Sequence, residues 1–185
     1  MAALVPTIRT ENAGDRDAIA RLVGDVFKAA FGSKAEARLV ENLRRDGDLL
    51  LGLVAEVDGE VVGYVAFSRA MIDCDGVWSP VAVLAPIAVA EIHQRNGIGT
   101  ALTEAGLRLL AGEGETVVFV LGDPDYYRCF DFDSDKARAF SSPWSEKAGD
   151  AHMVLELRPD ALAGMRGLLH YAPAFARLQA ERTEG

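Results

Sequence analysis

The stretch that decides the fold is HQRNGIGTAL, His93–Leu102, which follows the apolar run VAVLAPIAVA at 81–90. The apolar run is typical of a buried central strand, and apolar residues recur at helical spacing from Ile98 onward. Gly97 and Gly99 stand at the junction, although each glycine loses much backbone freedom on folding. A helix N-terminus exposes unpaired N–H groups and partial positive charge, so the junction could form an anion-binding loop. The alternative is a tight turn with no ligand.

Length and charge narrow the class of protein. The chain has 185 residues and a formal net charge of −9, which predicts one domain over residues 1–176 with a flexible tail at 177–185. An acidic chain is a poor partner for nucleic acid, since phosphate binding needs a basic face. No apolar stretch is long enough to span a bilayer, and the N-terminus lacks the features of a signal peptide. We therefore expect a cytoplasmic protein with no membrane partner.

Cysteine and histidine usage argues against a metal centre. Cys74 and Cys129 lie far apart and outside any CxxC pattern. The three histidines do not supply the short ligand spacings that a zinc site requires. We expect no metal, and we expect Cys129 to be structural rather than catalytic.

Local patterns predict a mixed α/β chain. An N-terminal strand and two amphipathic helices precede two β-rich runs that flank Asp58–Gly59, a strong hairpin signal. The segment DCDGVWSP is interpreted as a polar connection, and TVVFVLG as a strand after the helix that follows the glycine loop. HMVLELRP is interpreted as a late strand and 161–169 as a helix capped by Asp160. Pro86 cannot donate to a sheet ladder, so it indicates a bulge or a parting of strands within the apolar run.

The segment QRNGIG has the form Q/R-x-x-G-x-G/A between a buried strand and an amphipathic helix, and VLGDPDYYRCFDF follows the next strand. In these features the sequence resembles the GNAT superfamily of N-acetyltransferases, from the N-terminal strand through Phe132. The resemblance implies an α/β (α+β) fold with a mixed, mostly antiparallel central sheet of about six to seven strands flanked by helices. It also implies a splayed parallel strand pair at the centre, which gives Pro86 a natural place.

The resemblance also assigns candidate site residues. It implies acetyl-CoA as co-substrate, with the pantetheine arm pairing with the strand backbone at Ile87, Ala88 and Val89. The pyrophosphate would be held, mostly by main-chain N–H groups, along the loop Gln94, Arg95, Asn96, Gly97, Ile98, Gly99 and Thr100. Tyr127 corresponds to the tyrosine that often serves as general acid. Asp131 departs from the family pattern, which usually has glycine there, and this leaves the path of 127–132 open.

The implied reaction is direct attack of a primary amine, on a small molecule or peptide, on the acetyl-CoA thioester. The general base is left open between Glu91, His93, Asp123 and water. The acceptor and the oligomeric state are also open, a homodimer included. One alternative is a non-catalytic acyl-CoA-binding or sensor module. Another is a Rossmann-type oxidoreductase, which GIGTAL suggests only weakly because Leu102 stands where the third glycine belongs.

Overall fold

The computed structural model describes residues 5–184, with side chains described through residue 180. This part of the chain contains eight strands and seven helices, besides short 3-10 turns. The strands are β1 (Thr7–Thr10), β2 (Leu49–Val57), β3 (Glu60–Cys74), β4 (Val77–Val89), β5 (Val117–Leu121), β6 (Phe140–Ser141), β7 (His152–Glu156) and β8 (Gly167–Tyr171). The helices are α1 (Arg16–Phe31), α2 (Ala35–Asp46), α3 (Ile98–Gly112), α4 (Pro124–Tyr127), α5 (Ser134–Ala137), α6 (Ser145–Ala148) and α7 (Pro173–Glu184).

The strands form one open, mostly antiparallel sheet. Its order is β1-β2-β3-β4-β5-β7, with β8 beside β3 and β6 beside β8. β4 and β5 run parallel and pair over Ala82–Leu84, whereas β4 itself continues to Val89. Pro86 lies two residues beyond Leu84, the last residue of β4 that pairs with β5, so its missing N–H removes no bond from the β4–β5 ladder. The mixed sheet with a parting parallel pair is thus confirmed. The sheet has eight strands rather than the predicted six to seven, because two short strands, β6 and β8, join the six strands of the main order.

The chain groups into two compact units, and the described part of the first consists of residues 5–67, 86–106 and 173–184. Helices α1 and α2 cover one face of its strands, where Tyr64, Ala66 and Ala88 pack with apolar side chains of both helices. On β3, a Cβ at Gly63 would lie 2.9 Å from Ile98 of α3. The absence of a side chain at residue 63 therefore lets α3 pack closely against β3.

The second unit consists of residues 68–85 and 107–172. In it, β5 pairs antiparallel with β7, and Phe119 contacts Phe140 edge-on with 5.4 Å between ring centroids. The segment DCDGVWSP is a second hairpin rather than a connection. Asp75 and Gly76 both have positive φ, of 52° and 89°, as a two-residue turn between β3 and β4 requires.

The predicted helix at 161–169 is wrong. Gly164 and Gly167 have φ values of 72° and 150°, which interrupt helical backbone. Leu169 instead pairs opposite Ile72 in the antiparallel ladder between β3 and β8. A ladder to a strand about a hundred residues earlier outweighs the local helical pattern.

The sequence predicts a flexible tail at 177–185. Residues 177–184 are helical as part of α7, and residue 185 lies outside the described residues. Ala174 and Phe175 are buried, and the Arg177 guanidinium forms an ion pair with Asp46 at the end of α2. These contacts hold the first turns of α7 in place within the first unit, with the ion pair joining α7 to α2.

Candidate active site

The glycine loop connects β4 to α3 in the first unit. A 3-10 turn at Glu91–His93 follows the strand, and α3 begins at Ile98. Arg95 and Gly97 have φ values of 60° and 79°, the left-handed region in which glycine is favoured. These two positions turn the chain back toward its own helix, so that the loop leads directly into the first turn of α3.

The loop side chains bind the loop itself. The Gln94 side-chain amide donates to the Val89 carbonyl at 2.9 Å. The Asn96 amide donates to the carbonyls of His93 and Gln94 at 3.3 and 3.2 Å. Gln94 and Asn96 therefore fix the loop conformation, whereas Arg95 is exposed.

The main chain of this loop presents a run of open donors. Among the described residues, none of the six consecutive backbone N–H groups from Arg95 to Thr100 donates to a backbone carbonyl, and the first helical bond here runs from Ala101 to Gly97. We call these six groups the open amides. Together with the positive end of the α3 dipole, such groups form a binding site for anions.

The three predicted strand residues, Ile87–Val89, close β4 immediately before this loop. Ala88 is buried against the helix-covered face, whereas Ile87 and Val89 are half-buried. The next residue, Ala90, donates its N–H to the Val62 carbonyl at 2.8 Å. The structure thus brings the predicted strand and loop residues together in the first unit, with the Gln94 amide joining them.

Tyr127 belongs to the second unit and ends the short helix α4. Asp123 begins that helix by accepting a hydrogen bond from the Asp125 N–H. The Tyr127 ring is buried and contacts Tyr126 and Phe132 edge-on, with centroid distances of 4.9 and 5.6 Å. Burial, with a smaller contribution from Tyr126, raises the pKa of the Tyr127 hydroxyl above its ordinary value of 10. The hydroxyl therefore keeps its proton at neutral pH.

Asp131 resolves the one departure from the family pattern. Its φ is 66°, and its N–H donates to the Arg128 carbonyl at 3.1 Å. The left-handed conformation is one that glycine adopts freely and that aspartate tolerates better than most residues. The segment 127–132 therefore follows a path that glycine would also allow, and the Phe132 N–H returns to the Tyr127 carbonyl.

The three candidate bases have different surroundings. Asp123 is exposed and caps α4 with its carboxylate. Glu91 and His93 flank the 3-10 turn before the open amides, Glu91 exposed and His93 half-buried. The choice between these groups and water stays a prediction.

Three other expectations concern a metal centre, Cys129 and a membrane-spanning segment. Among the residues that the structure describes, no cluster of three or more His, Cys, Asp or Glu side chains is placed to hold a metal ion. Cys129 is exposed rather than buried, and its Sγ donates to the Asp125 carbonyl at 3.5 Å. Within the described chain, no helix has the length and apolar character needed to cross a bilayer.

Comparison with known proteins identifies the family. The model of the acetyltransferase (GNAT) family matches residues 16–132. The chain is 39% identical over 155 residues to the uncharacterized N-acetyltransferase YhbS of Escherichia coli K12, covering 82% of this chain and 90% of that protein. The crystal structure of E. coli YhbS in complex with CoA superposes with a TM-score of 0.83 at 38% identity, over 96% of this chain and 95% of that one.

A second solved structure agrees. A GNAT acetyltransferase from Brucella melitensis in complex with acetyl-CoA has a TM-score of 0.77 and 31% identity, over 93% of this chain and 99% of that one. The family match and the two solved structures together show an acyltransferase of mixed α/β architecture. The chain belongs to the GNAT family and is an N-acetyltransferase, which overturns the Rossmann oxidoreductase alternative.

Proposed function

We propose that this chain transfers the acetyl group of acetyl-CoA to a primary amine of a small molecule or peptide. The observation that carries the proposal is the run of six open amides at the N-terminus of α3, directly after β4. A pyrophosphate is an anion of suitable size and charge for several such donors. The CoA and acetyl-CoA complexes of the E. coli and Brucella relatives support this assignment.

The residues of the first unit bind the acetyl donor in this proposal. The open amides and the exposed Arg95 hold the pyrophosphate, while the backbone of Ile87, Ala88 and Val89 pairs with the pantetheine arm. Gly97 contributes through its backbone N–H. Its φ of 79° is disfavoured for residues with a Cβ, so glycine is the residue that adopts this conformation without strain. N–H groups of the strand near Val89 polarise the thioester carbonyl, as an oxyanion hole does.

The chemical step is a direct transfer. A lysine-like amine has a pKa of about 10.4, so it first loses a proton to water or to one of Glu91, His93 and Asp123. The amine nitrogen then attacks the thioester carbonyl carbon, an N–C bond forms, and the C–S bond breaks. Tyr127 gives its hydroxyl proton to the departing sulfur, which otherwise leaves as a thiolate. As the amide forms, the attacking nitrogen loses its extra proton, which passes through solvent to the Tyr127 phenolate and restores the hydroxyl. The products are the acetylated amine and CoA.

A ligand-stabilisation measurement tests the binding half of this proposal. Ligand at about 100 times its Kd adds roughly 2.7 kcal/mol to the free energy of unfolding. We expect acetyl-CoA to raise the unfolding temperature and NAD to leave it unchanged. Stabilisation by NAD and not by acetyl-CoA would contradict the proposal.

A thiol-release screen over amines and peptides then addresses the acceptor. Amine-dependent release of CoA supports a primary amine as acceptor. Binding of acetyl-CoA with no release above the hydrolysis rate, for every amine class, would contradict it. Sedimentation of the same preparation establishes whether the protein is a homodimer.

A further inference from the structure

We propose that Gln94 is a positioning residue that couples the strand half and the loop half of the acetyl-CoA site; this inference rests on the proposed function. Gln94 is the first residue of the Q-x-x-G-x-G pattern, and its side chain forms a hydrogen bond within the protein. The amide nitrogen lies 2.9 Å from the carbonyl oxygen of Val89, the last residue of β4. Gln94 thus acts on the ligand through the backbone that it holds.

The direction of the Val89 carbonyl gives this bond its importance. Ala90 donates its N–H to Val62 of β3, and successive residues of a strand point their backbone groups to opposite edges. The Val89 carbonyl therefore faces the edge of β4 away from β3, beyond Leu84, where the pairing with β5 ends. This is the edge that the pantetheine arm would use, and Gln94 attaches the loop to its end.

The loop has its own internal bonds but no second attachment of this kind to β4. The Asn96 amide bonds to His93 and Gln94, and the N–H groups of His93 and Gln94 bond to Ala90 and Glu91. All of these bonds join residues within three positions of each other. In the described chain, the hydrogen bond from the Gln94 side chain to the Val89 carbonyl therefore sets the distance between the strand edge and the open amides.

Coupling of the two halves matters because CoA is a single molecule that engages both. Binding of one half raises the effective concentration of the other half at its subsite, provided that the geometry matches. Loss of the Gln94 bond would leave each subsite intact but relax the match between them. If the Gln94 side chain instead contacted the pyrophosphate, its loss would weaken binding of the phosphate-bearing half of CoA alone.

The test compares one whole ligand with its two parts. CoA, ADP and pantetheine are titrated against wild type and Gln94→Met, which keeps the length of the side chain without its donor. We expect CoA affinity to fall about two- to tenfold, the range for one hydrogen bond, while ADP and pantetheine affinities stay within twofold. Gln179→Met on the exposed face of α7 is the matched control and should leave all three affinities unchanged.

Gln94→Arg restores a donor that reaches the Val89 carbonyl. Its added charge acts on ADP and CoA alike, so the ratio of CoA affinity to the product of the fragment affinities should return to the wild-type value. A parallel loss of ADP and CoA binding in Gln94→Met, or no loss of CoA binding, overturns the positioning role. Absence of CoA binding by the wild type would instead overturn the proposed function.

Discussion

A Cβ placed on Gly122 would lie 2.3 Å from Cε2 of the Tyr127 ring. Such a distance is far inside van der Waals contact, so the ring occupies the space that any side chain at residue 122 would need. Gly122 follows β5, and its N–H is held by the Ala151 carbonyl at 3.0 Å, which limits its freedom to move away. The glycine therefore fixes where the tyrosine ring lies.

The Gly122→Ala substitution should displace the Tyr127 ring and reduce kcat by at least about tenfold, within the range that a general acid contributes. Acetyl-CoA affinity should stay near the wild-type value, because the open amides are untouched. Gly112→Ala is the matched control, since a Cβ there meets no atom within 4 Å. Wild-type kcat in a folded Gly122→Ala protein would contradict the positioning of Tyr127 by Gly122.

Gly97→Val should weaken acetyl-CoA binding through its backbone. No atom lies within 4 Å of a Cβ at residue 97, but the φ of 79° costs a β-branched residue about 1–2 kcal/mol. The loop should therefore shift and the open amides lose their alignment. Gly76→Val has the same strain, at a φ of 89° in the Asp75–Gly76 hairpin, and serves as the control. Calorimetric titration should show lost affinity for Gly97→Val alone; equal affinity in both variants would limit Gly97 to a turn residue.

Arg95→Asn should reduce acetyl-CoA affinity and flatten its dependence on salt concentration. The substitution removes a cation, while asparagine tolerates the φ of 60° better than arginine does, so the free energy of unfolding should not fall. Arg21→Gln, an exposed change on α1 with the same loss of charge, is the control for net charge. An unchanged salt slope in Arg95→Asn would show that the arginine does not contact a phosphate.

His152 should make the protein less stable as the pH falls below about 6.5. Burial lowers the pKa of His152, against the opposing effect of its hydrogen bond to the Phe140 carbonyl. Since the unfolded chain then takes up the proton first, stability is complete above the unfolded pKa of about 6.5 and decreases below it, by at most about 1.4 kcal/mol per pH unit. Urea unfolding at pH 7.5 and 5.5 measures the difference. His152→Gln should abolish this slope, whereas exposed His170→Gln should keep it; an identical slope in all three proteins would contradict the assignment.

Short-range signals in the sequence predicted the parts of the fold that depend on a few adjacent residues. The Asp58–Gly59 turn is confirmed because two consecutive positive φ values, 50° and 83°, leave few other residue choices. The glycine loop and the helix after it are equally local. The Asp75–Gly76 turn has the same signal. The segment around it is polar, however, and was therefore not predicted to contain the end of β3 and the start of β4.

Long-range pairing is what local patterns did not reveal. Residues 161–169, which include the start of β8, were predicted as a helix capped by Asp160, whereas the ladder between β8 and β3 decides the structure of residues 168 and 169. The ion pair between Arg177 of α7 and Asp46 of α2 likewise joins residues that are far apart in the sequence. At the site, the sequence indicated which residues to consider. It did not indicate that the side-chain amides of Gln94 and Asn96 bond to the nearby backbone, or that the Tyr127 ring lies against Gly122.

The most direct test of the account is the turnover of Tyr127→Phe at saturating acetyl-CoA and amine. Phenylalanine keeps the buried ring that packs against Tyr126 and Phe132 but removes the proton donor. We expect kcat to fall about 10²–10⁴-fold, with acetyl-CoA affinity nearly unchanged by calorimetry. A single-turnover measurement establishes that chemistry limits the rate. Wild-type kcat under these conditions would contradict the role of Tyr127 as general acid.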